Sequence, residues 1–209
     1  MTEQLEQGSA EWMAARLGKM TASRMSDVAA KTKTGWGAGR ANYMAELIAE
    51  RLTGNPADNY INAEMQHGID TEPQARAAYE FFRDMTVEKV GLIAHPTIPM
   101  SAASPDGLVG ADGLVEIKCP NTATHIETLL GGAIPAKYGA QMQWQLACAG
   151  RQWVDFVSFD PRLPAHLSLF VSRVVRDDKR IAELTAMVNE FLAELDAKVV
   201  ALNELAKTA

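Results

Sequence analysis

The sequence has 209 residues, a length typical of one domain, and we expect a single domain over residues 1–209. Its 26 acidic and 20 basic residues leave a formal net charge of −6, and 47% of the residues are hydrophobic. This composition is too apolar for a disordered chain, and the acidic balance excludes a protein that coats nucleic acid by its overall charge. Cys119 and Cys148 are the only cysteines, which excludes a disulfide scaffold and a four-cysteine metal site within one chain.

The sequence carries no sign of a membrane segment or of internal repetition. No apolar run reaches the ~18–20 residues that a membrane span needs. The first residues, MTEQLEQGSAEW, are polar and acidic, unlike a signal peptide. We therefore expect a protein of the reducing cytoplasm with no membrane partner.

The first half of the chain is predicted to be mostly helical. Ser9 can cap a helix in SAEWMAARL, a second short helix is expected to begin at Thr21, and a third, RANYMAELIAERL, to end at Gly54. The Gly-rich basic segment KTKTGWGAGR separates the second helix from the third. A fourth helix is predicted in TEPQARAAYEFFRDM, with Thr71 as the N-cap and Pro73 in the first turn.

The second half changes to short apolar runs that are typical of strands: VEKVGLIAH, MSAASPDGLVG, LVEIKCP, WVDFVSFD and HLSLFVSRVV. Between the third and fourth of these runs lies a predicted helix that opens at Pro135 and stops at Gly150. The last segment has the apolar spacing of a long amphipathic helix, with Ile181, Leu184, Val188, Phe191, Leu195, Val199, Leu202 and Leu205 on one face. This order predicts an α/β or α+β fold with a mixed central β-sheet flanked by helices.

Two neighbouring segments carry the residues best suited to chemistry. Asp106 lies in the turn SPDGL, and Glu116 and Lys118 lie two apart in the strand LVEIKCP, so they share one face while Val115 and Ile117 face a core. If a hairpin brings Asp106 beside Glu116, two carboxylates and the Ile117 carbonyl form an oxygen-rich site suited to Mg²⁺ or Mn²⁺. The lysine can then orient a water or stabilise a scissile phosphate. The alternative is a surface hairpin with a Glu–Lys ion pair.

The same residues resemble a nuclease family. Asp106, Glu116-x-Lys118 and Gln141-x-Gln143 are similar to the pattern of the PD-(D/E)XK nucleases, specifically their lambda-exonuclease (YqaJ-type viral recombinase) branch. The segments EWMAARLGKMTAS, HGIDTEPQA, SPDGL, EIKCP and YGAQMQ occur in the order and spacing of that branch, and FDPR and a long last helix follow. The resemblance covers nearly the whole chain and implies a restriction-endonuclease-like core.

The resemblance also implies a catalytic set. Glu72 matches the helical active-site carboxylate of the branch, although by itself it is better explained as an acid complementing a helix dipole. With Asp106 and Glu116 it would complete a three-carboxylate site for two Mg²⁺ ions, with Mn²⁺ possible, that activate water and neutralise the leaving oxygen. Lys118 would be the electrostatic partner of the attacking water or of the transition state.

Four residues match the pocket that the family uses for a terminal 5′-phosphate: Arg16, Thr21, Ser23 and Ser104. Thr21 and Ser23 lie at a predicted helix N-terminus, where free N–H groups favour an anion, and Arg16 can grip a phosphate through two donors. Ordinary capping with a surface arginine is the alternative.

Two further sets are candidates for contact with DNA. The resemblance favours Gln141 as the residue that reaches the metal-bound phosphate, with Tyr138 one turn earlier and Gln143 as a further DNA contact. Because Gln141 and Gln145 are one turn apart and Gln143 is on another face, a plain polar stripe is the alternative.

The basic segment is open to two interpretations of equal weight. Lys31, Lys33, Trp36 and Arg40 form either a solvated loop or a flexible loop that grips DNA or separates its strands.

The sequence departs from the family at one place. Some members carry a further aspartate about ten residues before the SPDG aspartate, where this chain has His95 and Pro96. Any supporting role of that aspartate is therefore in doubt for this protein.

These features together predict a Mg²⁺-dependent 5′→3′ exonuclease on linear double-stranded DNA ends. It would prefer a 5′-phosphate, release mononucleotides and leave 3′ single-stranded DNA for recombination by strand annealing. The resemblance implies a ring-shaped homotrimer, a single-strand annealing protein as partner, and a location in the cytoplasm of a bacterial or phage-infected cell. Two competing hypotheses are a structure-specific or restriction-type endonuclease on the same core and a non-catalytic module that binds DNA ends. Residue chemistry alone leaves the polarity open.

Overall fold

The centre of the molecule is a mixed five-stranded sheet. The computed structural model describes residues 5–33, 35–57 and 62–208, and side chains within that range up to residue 205. In chain order the strands are β1 (Met20–Thr21), β2 (Lys31–Thr32), β3 (Gly35–Trp36), β4 (Val87–Glu88), β5 (Ile93–Ala94), β6 (Ser101–Ala103), β7 (Gly107–Val109), β8 (Gly113–Lys118), β9 (Trp153–Phe159) and β10 (Leu169–Val175).

The helices lie before, between and after these strands. They are α1 (Ala10–Arg16), α2 (Met25–Val28), α3 (Ala38–Thr53), α4 (Ala63–Arg83), α5 (Thr122–Gly131), α6 (Gly139–Ala149) and α7 (Asp178–Thr208). Within the described part of the chain, no helix combines the length and apolar content needed to cross a bilayer.

The strand order of the central sheet is β10-β9-β8-β7-β4. Strands β8 and β9 are parallel, and the other three pairs are antiparallel, which confirms the predicted mixed sheet. A smaller sheet, β1-β6-β5, and the hairpin β2-β3 stand beside it. The runs VEKVGLIAH and MSAASPDGLVG each contribute one strand to each sheet, because glycine or proline bends the chain between the two halves.

Both faces of β8 are buried, which is why its sequence is so apolar. Leu114 belongs to the larger core with Trp144 of α6 and Phe191 of α7. Val115 and Ile117 belong to the smaller core with Ala75 and Tyr79 of α4. The alternation of strand side chains therefore directs Glu116 toward α6 and away from the core beneath α4.

The long last helix is confirmed over Asp178–Thr208. Its buried residues, which include Ile181, Leu184, Val188 and Leu195, pack with α3 and α6. Beyond Val199 the apolar stripe loses its cover, and Leu202 is exposed because this end of the helix extends past the body of the protein.

One predicted helix start was wrong, and another predicted helix is shorter and partly 3₁₀. Helix α4 begins eight residues before Thr71, because Asn62 caps it by accepting a hydrogen bond from the Met65 N–H at 2.8 Å. Thr71 is therefore a buried mid-helix residue, and Pro73 lies in the helix interior at an exposed position rather than in the first turn. The helix expected from Thr21 shrinks to a 3₁₀ turn and the four-residue α2, because Thr21 pairs in β1 with β6.

Helix α5 was not predicted from the sequence. Its ends carry ordinary signals: Asn121 accepts a hydrogen bond from the Thr124 N–H at 2.9 Å, and Gly132 ends the helix in the left-handed conformation. The signals are clear in retrospect, but they surround only ten residues between β8 and α6.

Candidate active site

Glu116 and Lys118 occupy one face of β8, as the strand periodicity predicted. The Lys118 Nζ lies 2.6 Å from Glu116 Oε1, and the glutamate is only 1% exposed. Burial by itself lowers the pKa of Lys118, but the carboxylates of Glu116 and Asp106 outweigh it and raise that pKa. The lysine is therefore a permanent ammonium group at neutral pH.

Asp106 directly precedes β7 and lies beside β8. Its N–H donates to the Val115 carbonyl at 3.1 Å, and its Oδ2 accepts a hydrogen bond from the Ile117 N–H at 2.6 Å. Burial, followed by the nearby charge of Glu116, raises the pKa of Asp106 well above its ordinary value. The structure thus brings the two carboxylates together beside one ammonium group.

The glycine after Asp106 is required by close packing. A Cβ on Gly107 would lie 2.1 Å from Val87 Cγ1 and 3.1 Å from the Glu88 carbonyl oxygen. Because β4 crosses so closely, only glycine lets β7 pair with it and hold Asp106 at the end of β8.

Two glutamines of α6 hold the Glu116 carboxylate. Gln141 Nε2 donates to Oε1 at 2.5 Å, and Gln145 Nε2 donates to Oε2 at 2.5 Å. Gln141 was a candidate from the sequence, but Gln145 was not, although its spacing of one helical turn from Gln141 was visible. Tyr138 stacks on Phe156 at 5.4 Å between ring centroids, and Lys118 Nζ lies 5.3 Å from the centre of its ring.

Glu72 lies near Asp106, whose pKa its charge also raises, and both residues line the same cleft. Arg76, one turn further along α4, forms an ion pair with Glu72 Oε1 and also donates to the Asp106 backbone carbonyl. Within the described ranges, no three Asp, Glu, His or Cys side chains are gathered in a metal-ligating arrangement. Arg76 was missed from the sequence, where it looked like an ordinary surface partner for an acid four residues earlier.

The donor set fits a hard divalent cation at Asp106 and Glu116. The charge of Glu116 raises the cost of ionising Asp106, which a bound cation would relieve, and carboxylate oxygens are the ligands that Mg²⁺ and Mn²⁺ prefer. The N–H and carbonyl of one strand residue face the same neighbour, so the Ile117 carbonyl points toward Asp106 as its N–H does. Glu72 can join as a ligand only if Arg76 releases it, and the two-ion site stays a prediction.

A second cluster joins the four residues of the predicted phosphate pocket, Arg16, Thr21, Ser23 and Ser104. Arg16 Nη2 donates to Thr21 Oγ1 at 3.4 Å, and the Thr21 and Ser23 hydroxyls are 3.3 Å apart. Trp12 links Ser104 to Arg16. Its Nε1 donates to Ser104 Oγ at 3.0 Å, and the Arg16 guanidinium lies 4.2 Å from the centre of its ring. Trp12 was not among the candidates.

A cleft of about 1340 Å³ is lined by residues of both groups. Its lining includes Arg16, Thr21 and Ser23 together with Glu72 and Asp106. Burial lowers the pKa of Arg16, but arginine remains charged at any physiological pH.

The helix N-terminus predicted at Thr21 is present, but the helix is short. Thr21 is the N-cap of a 3₁₀ turn, Ala22–Arg24, that continues into the four-residue α2. The Thr21 N–H itself is not free, since it donates to the Tyr43 hydroxyl at 3.0 Å, and Arg16 would supply the charge for an anion at this place.

The basic segment is a hairpin whose last arginine is not available to DNA. Lys31 and Lys33 are exposed, and Trp36 is half-buried. Arg40 is only 3% exposed, stacks on Trp36 at 4.4 Å and forms a 2.6 Å ion pair with Glu194. The expected DNA contact by Arg40 was therefore wrong, because packing turns this side chain toward α7.

Gln143 was also misassigned. It is 7% exposed, its Nε2 donates to the Val175 carbonyl at 2.9 Å, and its Oε1 accepts from the Asp177 N–H at 2.9 Å. Both ends of the amide brace the connection from β10 to α7, so this side chain has no group left for DNA.

His95, next to Pro96 where some family members carry an aspartate, stacks on Trp144 with centroids 4.8 Å apart.

Comparison with known proteins decides the family. A model of the YqaJ-like viral recombinase domain matches residues 11–152. The chain belongs to this family. It is also similar to crystal structures of LHK-Exo, an alkaline exonuclease from Laribacter hongkongensis, one of them in complex with dAMP. The dAMP complex is 54% identical and has a TM-score of 0.90, with 96% of this chain and 100% of that chain covered. The other structure is 55% identical with a TM-score of 0.89 and the same coverage.

A more distant structure shares the fold alone. A phage-related exonuclease from Haemophilus somnus 129PT is 16% identical, with a TM-score of 0.72 over 88% of this chain and 96% of that chain. No match was found among curated proteins. The family membership and the fold that the sequence motifs implied are thus confirmed.

Proposed function

We propose that this protein is a Mg²⁺-dependent exonuclease that degrades one strand of linear double-stranded DNA in the 5′→3′ direction. Its family and its likeness to an alkaline exonuclease support a role as a DNA exonuclease. One observation carries the proposal: Asp106, which lies beside Glu116 and Lys118, lines the same cleft as Arg16 and the hydroxyl-bearing residues Thr21 and Ser23.

The residues of the site have different roles in the proposed phosphodiester hydrolysis. Asp106 and Glu116 would hold a divalent cation, which would supply Lewis-acid activation of a water and neutralise developing charge. The Lys118 ammonium orients the attacking water or faces the charge that grows on the phosphate. Gln141 holds Glu116 in place and lies beside Tyr138, where the substrate backbone passes.

The phosphate-binding residues of the cleft support the proposed polarity and product. Arg16, Thr21 and Ser23 can anchor a terminal 5′-phosphate, which places the next phosphodiester bond toward the carboxylates. LHK-Exo has been crystallised with dAMP, a mononucleotide of the kind that such cleavage releases. We infer that this protein likewise releases mononucleotides and leaves a 3′ single strand.

The wider setting belongs to the same proposal. A ring-shaped homotrimer around DNA would explain processivity without ATP, and a single-strand annealing protein would receive the 3′ strand for recombination. Both, like a cytoplasmic location in a bacterial or phage-infected cell, derive from the family resemblance.

Digestion of a linear duplex labelled at one 5′ end tests the function. The wild-type protein should release labelled mononucleotide with Mg²⁺, faster when the end carries a phosphate, and none with EDTA. Lys118→Ala and Glu116→Ala should each lower the rate by on the order of 10²–10³-fold. Lys137→Ala is the matched control, because Lys137 is an exposed lysine over the same Tyr138 ring, at 4.9 Å. Wild-type digestion by Lys118→Ala would contradict the proposal.

A covalently closed circle separates exonuclease from endonuclease. Because the cleft offers its anion site to a terminal phosphate, we expect the circle to stay intact while the linear form is digested. Cleavage of the circle at a comparable rate would favour the endonuclease alternative instead.

A further inference from the structure

Gln145 places an amide where the core of the protein is otherwise apolar. It is fully buried in α6 between Trp144 and Leu146, two residues of the larger core. Its Nε2 donates to Glu116 Oε2, whereas its own Oε1 is buried with no hydrogen-bond partner among the residues that the structure describes.

This arrangement is costly for stability alone. A buried acceptor without a donor is destabilising, and an apolar side chain of similar volume would avoid it. The amide cannot simply turn over, because its oxygen would then face the Glu116 carboxylate and its nitrogen would lose an acceptor. What the protein gains from an amide at this position is the hydrogen bond to Glu116.

Three donors contact the two carboxylate oxygens of Glu116. Oε1 is engaged by Lys118 and Gln141, and Gln145 donates to Oε2. A carboxylate held at both oxygens cannot rotate about its terminal bond, so its orientation toward Asp106 is fixed before any cation or DNA binds.

We propose that Gln145 is a positioning residue for the Glu116 carboxylate. It lies behind Glu116 and is itself fully buried, so it acts on the reaction only through that carboxylate. The inference rests on the proposed nuclease function and deepens it. Residues that orient metal ligands in this way alter metal affinity or activity by about 10–100-fold when they are replaced.

The test compares Gln145→Met with Gln143→Met. Both replace a buried glutamine of α6 by a side chain of similar length, but Gln143 braces the β10–α7 connection and does not contact Glu116. We expect Gln145→Met to lower kcat about 10–100-fold on linear duplex DNA with little change in KM. We also expect it to weaken binding of Ca²⁺, titrated calorimetrically without DNA, by a similar factor. Gln143→Met should lower the thermal midpoint and keep the kcat and the Ca²⁺ affinity of the wild type.

The outcomes separate this inference from the proposed function. If the wild-type protein releases no nucleotide with Mg²⁺, the proposed function fails, and the Ca²⁺ titration still tests Gln145. If the wild type is active and Gln145→Met matches it in kcat and Ca²⁺ affinity, the positioning role is overturned. It is also overturned if activity falls only in proportion to the unfolded fraction at the assay temperature. Should Gln145→Met not fold, Gln145→Asn keeps an amide that is too short to reach Glu116, and the same outcomes apply.

Discussion

Asp106 shows how a side chain suited to catalysis is poorly suited to stability. Its carboxylate is partly enclosed, and Glu116 lies close enough to raise the pKa of Asp106 further. The ionised pair therefore opposes folding until a cation neutralises it. Lys118 offsets part of this cost, since its ammonium group lowers the pKa of Asp106 again.

Asp106→Asn should stabilise the metal-free protein while it abolishes nuclease activity. Because the pKa of Asp106 is raised in the folded state, the native protein loses stability as the pH rises from about 4. The asparagine keeps an oxygen for the Ile117 N–H and removes the charge. In EDTA, we expect the free energy of unfolding of Asp106→Asn to exceed that of the wild type by roughly 1 kcal/mol at pH 8, a value discounted for partial exposure. Below pH 4 we expect no difference. Thermal unfolding at both pH values measures it, with Asp112→Asn in an exposed turn as control. A less stable Asp106→Asn at pH 8 would refute the argument.

Gly107 makes a second residue-scale test. Gly107→Ala would force its Cβ to within 2.1 Å of Val87 Cγ1, so β4 and β7 must separate. We expect a loss of about 1–3 kcal/mol in the free energy of unfolding, measured in urea, together with reduced activity through displacement of Asp106. Gly131→Ala, where a Cβ meets nothing within 4 Å, is the control. Equal stabilities of the two variants would show that β4 and β7 can move apart at Gly107 without a measurable loss of stability.

At the scale of elements, a buried carboxylate fastens α4 to the central sheet. Asp155 of β9 is fully buried and accepts a hydrogen bond from the Tyr79 hydroxyl at 2.9 Å. Arg173 of β10 donates to the same carboxylate at 2.7 Å through Nε. Burial, followed by the charge of Asp155, raises the pKa of Tyr79, so the phenol remains a donor. This contact fixes the helix that carries Glu72 over the strand that carries Glu116.

Tyr79→Phe should therefore loosen α4 without changing the packing of the ring. Loss of a hydrogen bond to a charged acceptor costs about 1.5–3 kcal/mol of unfolding free energy, measured in urea. Asp155→Ala should cost more, about 3–5 kcal/mol, because it leaves Arg173 without its buried partner. If Tyr79→Phe unfolds at the wild-type urea concentration, Asp155 does not hold the helix through this bond.

At the scale of the whole molecule, large apolar side chains remain uncovered. Phe81 at the end of α4 is 92% exposed and Leu130 in α5 is 85% exposed. Single exposed apolar residues are common on protein surfaces, so these exposures alone do not identify a contact surface. The predicted homotrimer would place some of them at subunit contacts.

Sedimentation equilibrium tests the trimer. We expect a mass three times that of the chain, which is 22.7 kDa. On long linear DNA, a ring should also remain processive after dilution with competitor DNA. A mass of one chain at the concentration of the nuclease assay would contradict the prediction, while leaving the chemistry of the site untested by that result alone.

The sequence by itself determined the features that depend on neighbours along the chain. Strand alternation placed Glu116 and Lys118 on one face, the 3.6-residue period predicted α7, and ordered motifs identified the family. Such signals are local, because a strand or helix directs its side chains with a fixed period whatever it packs against.

Only the tertiary structure decided which distant groups meet those side chains. Gln145 lies 29 residues from Glu116, and Arg76 lies 30 residues from the Asp106 carbonyl that it contacts. Arginine and glutamine side chains commonly contact DNA, yet packing buries both Arg40 and Gln143. Burial, ion pairing and the shape of a cleft arise from contacts between segments far apart in the chain, and no local period encodes which segments those are.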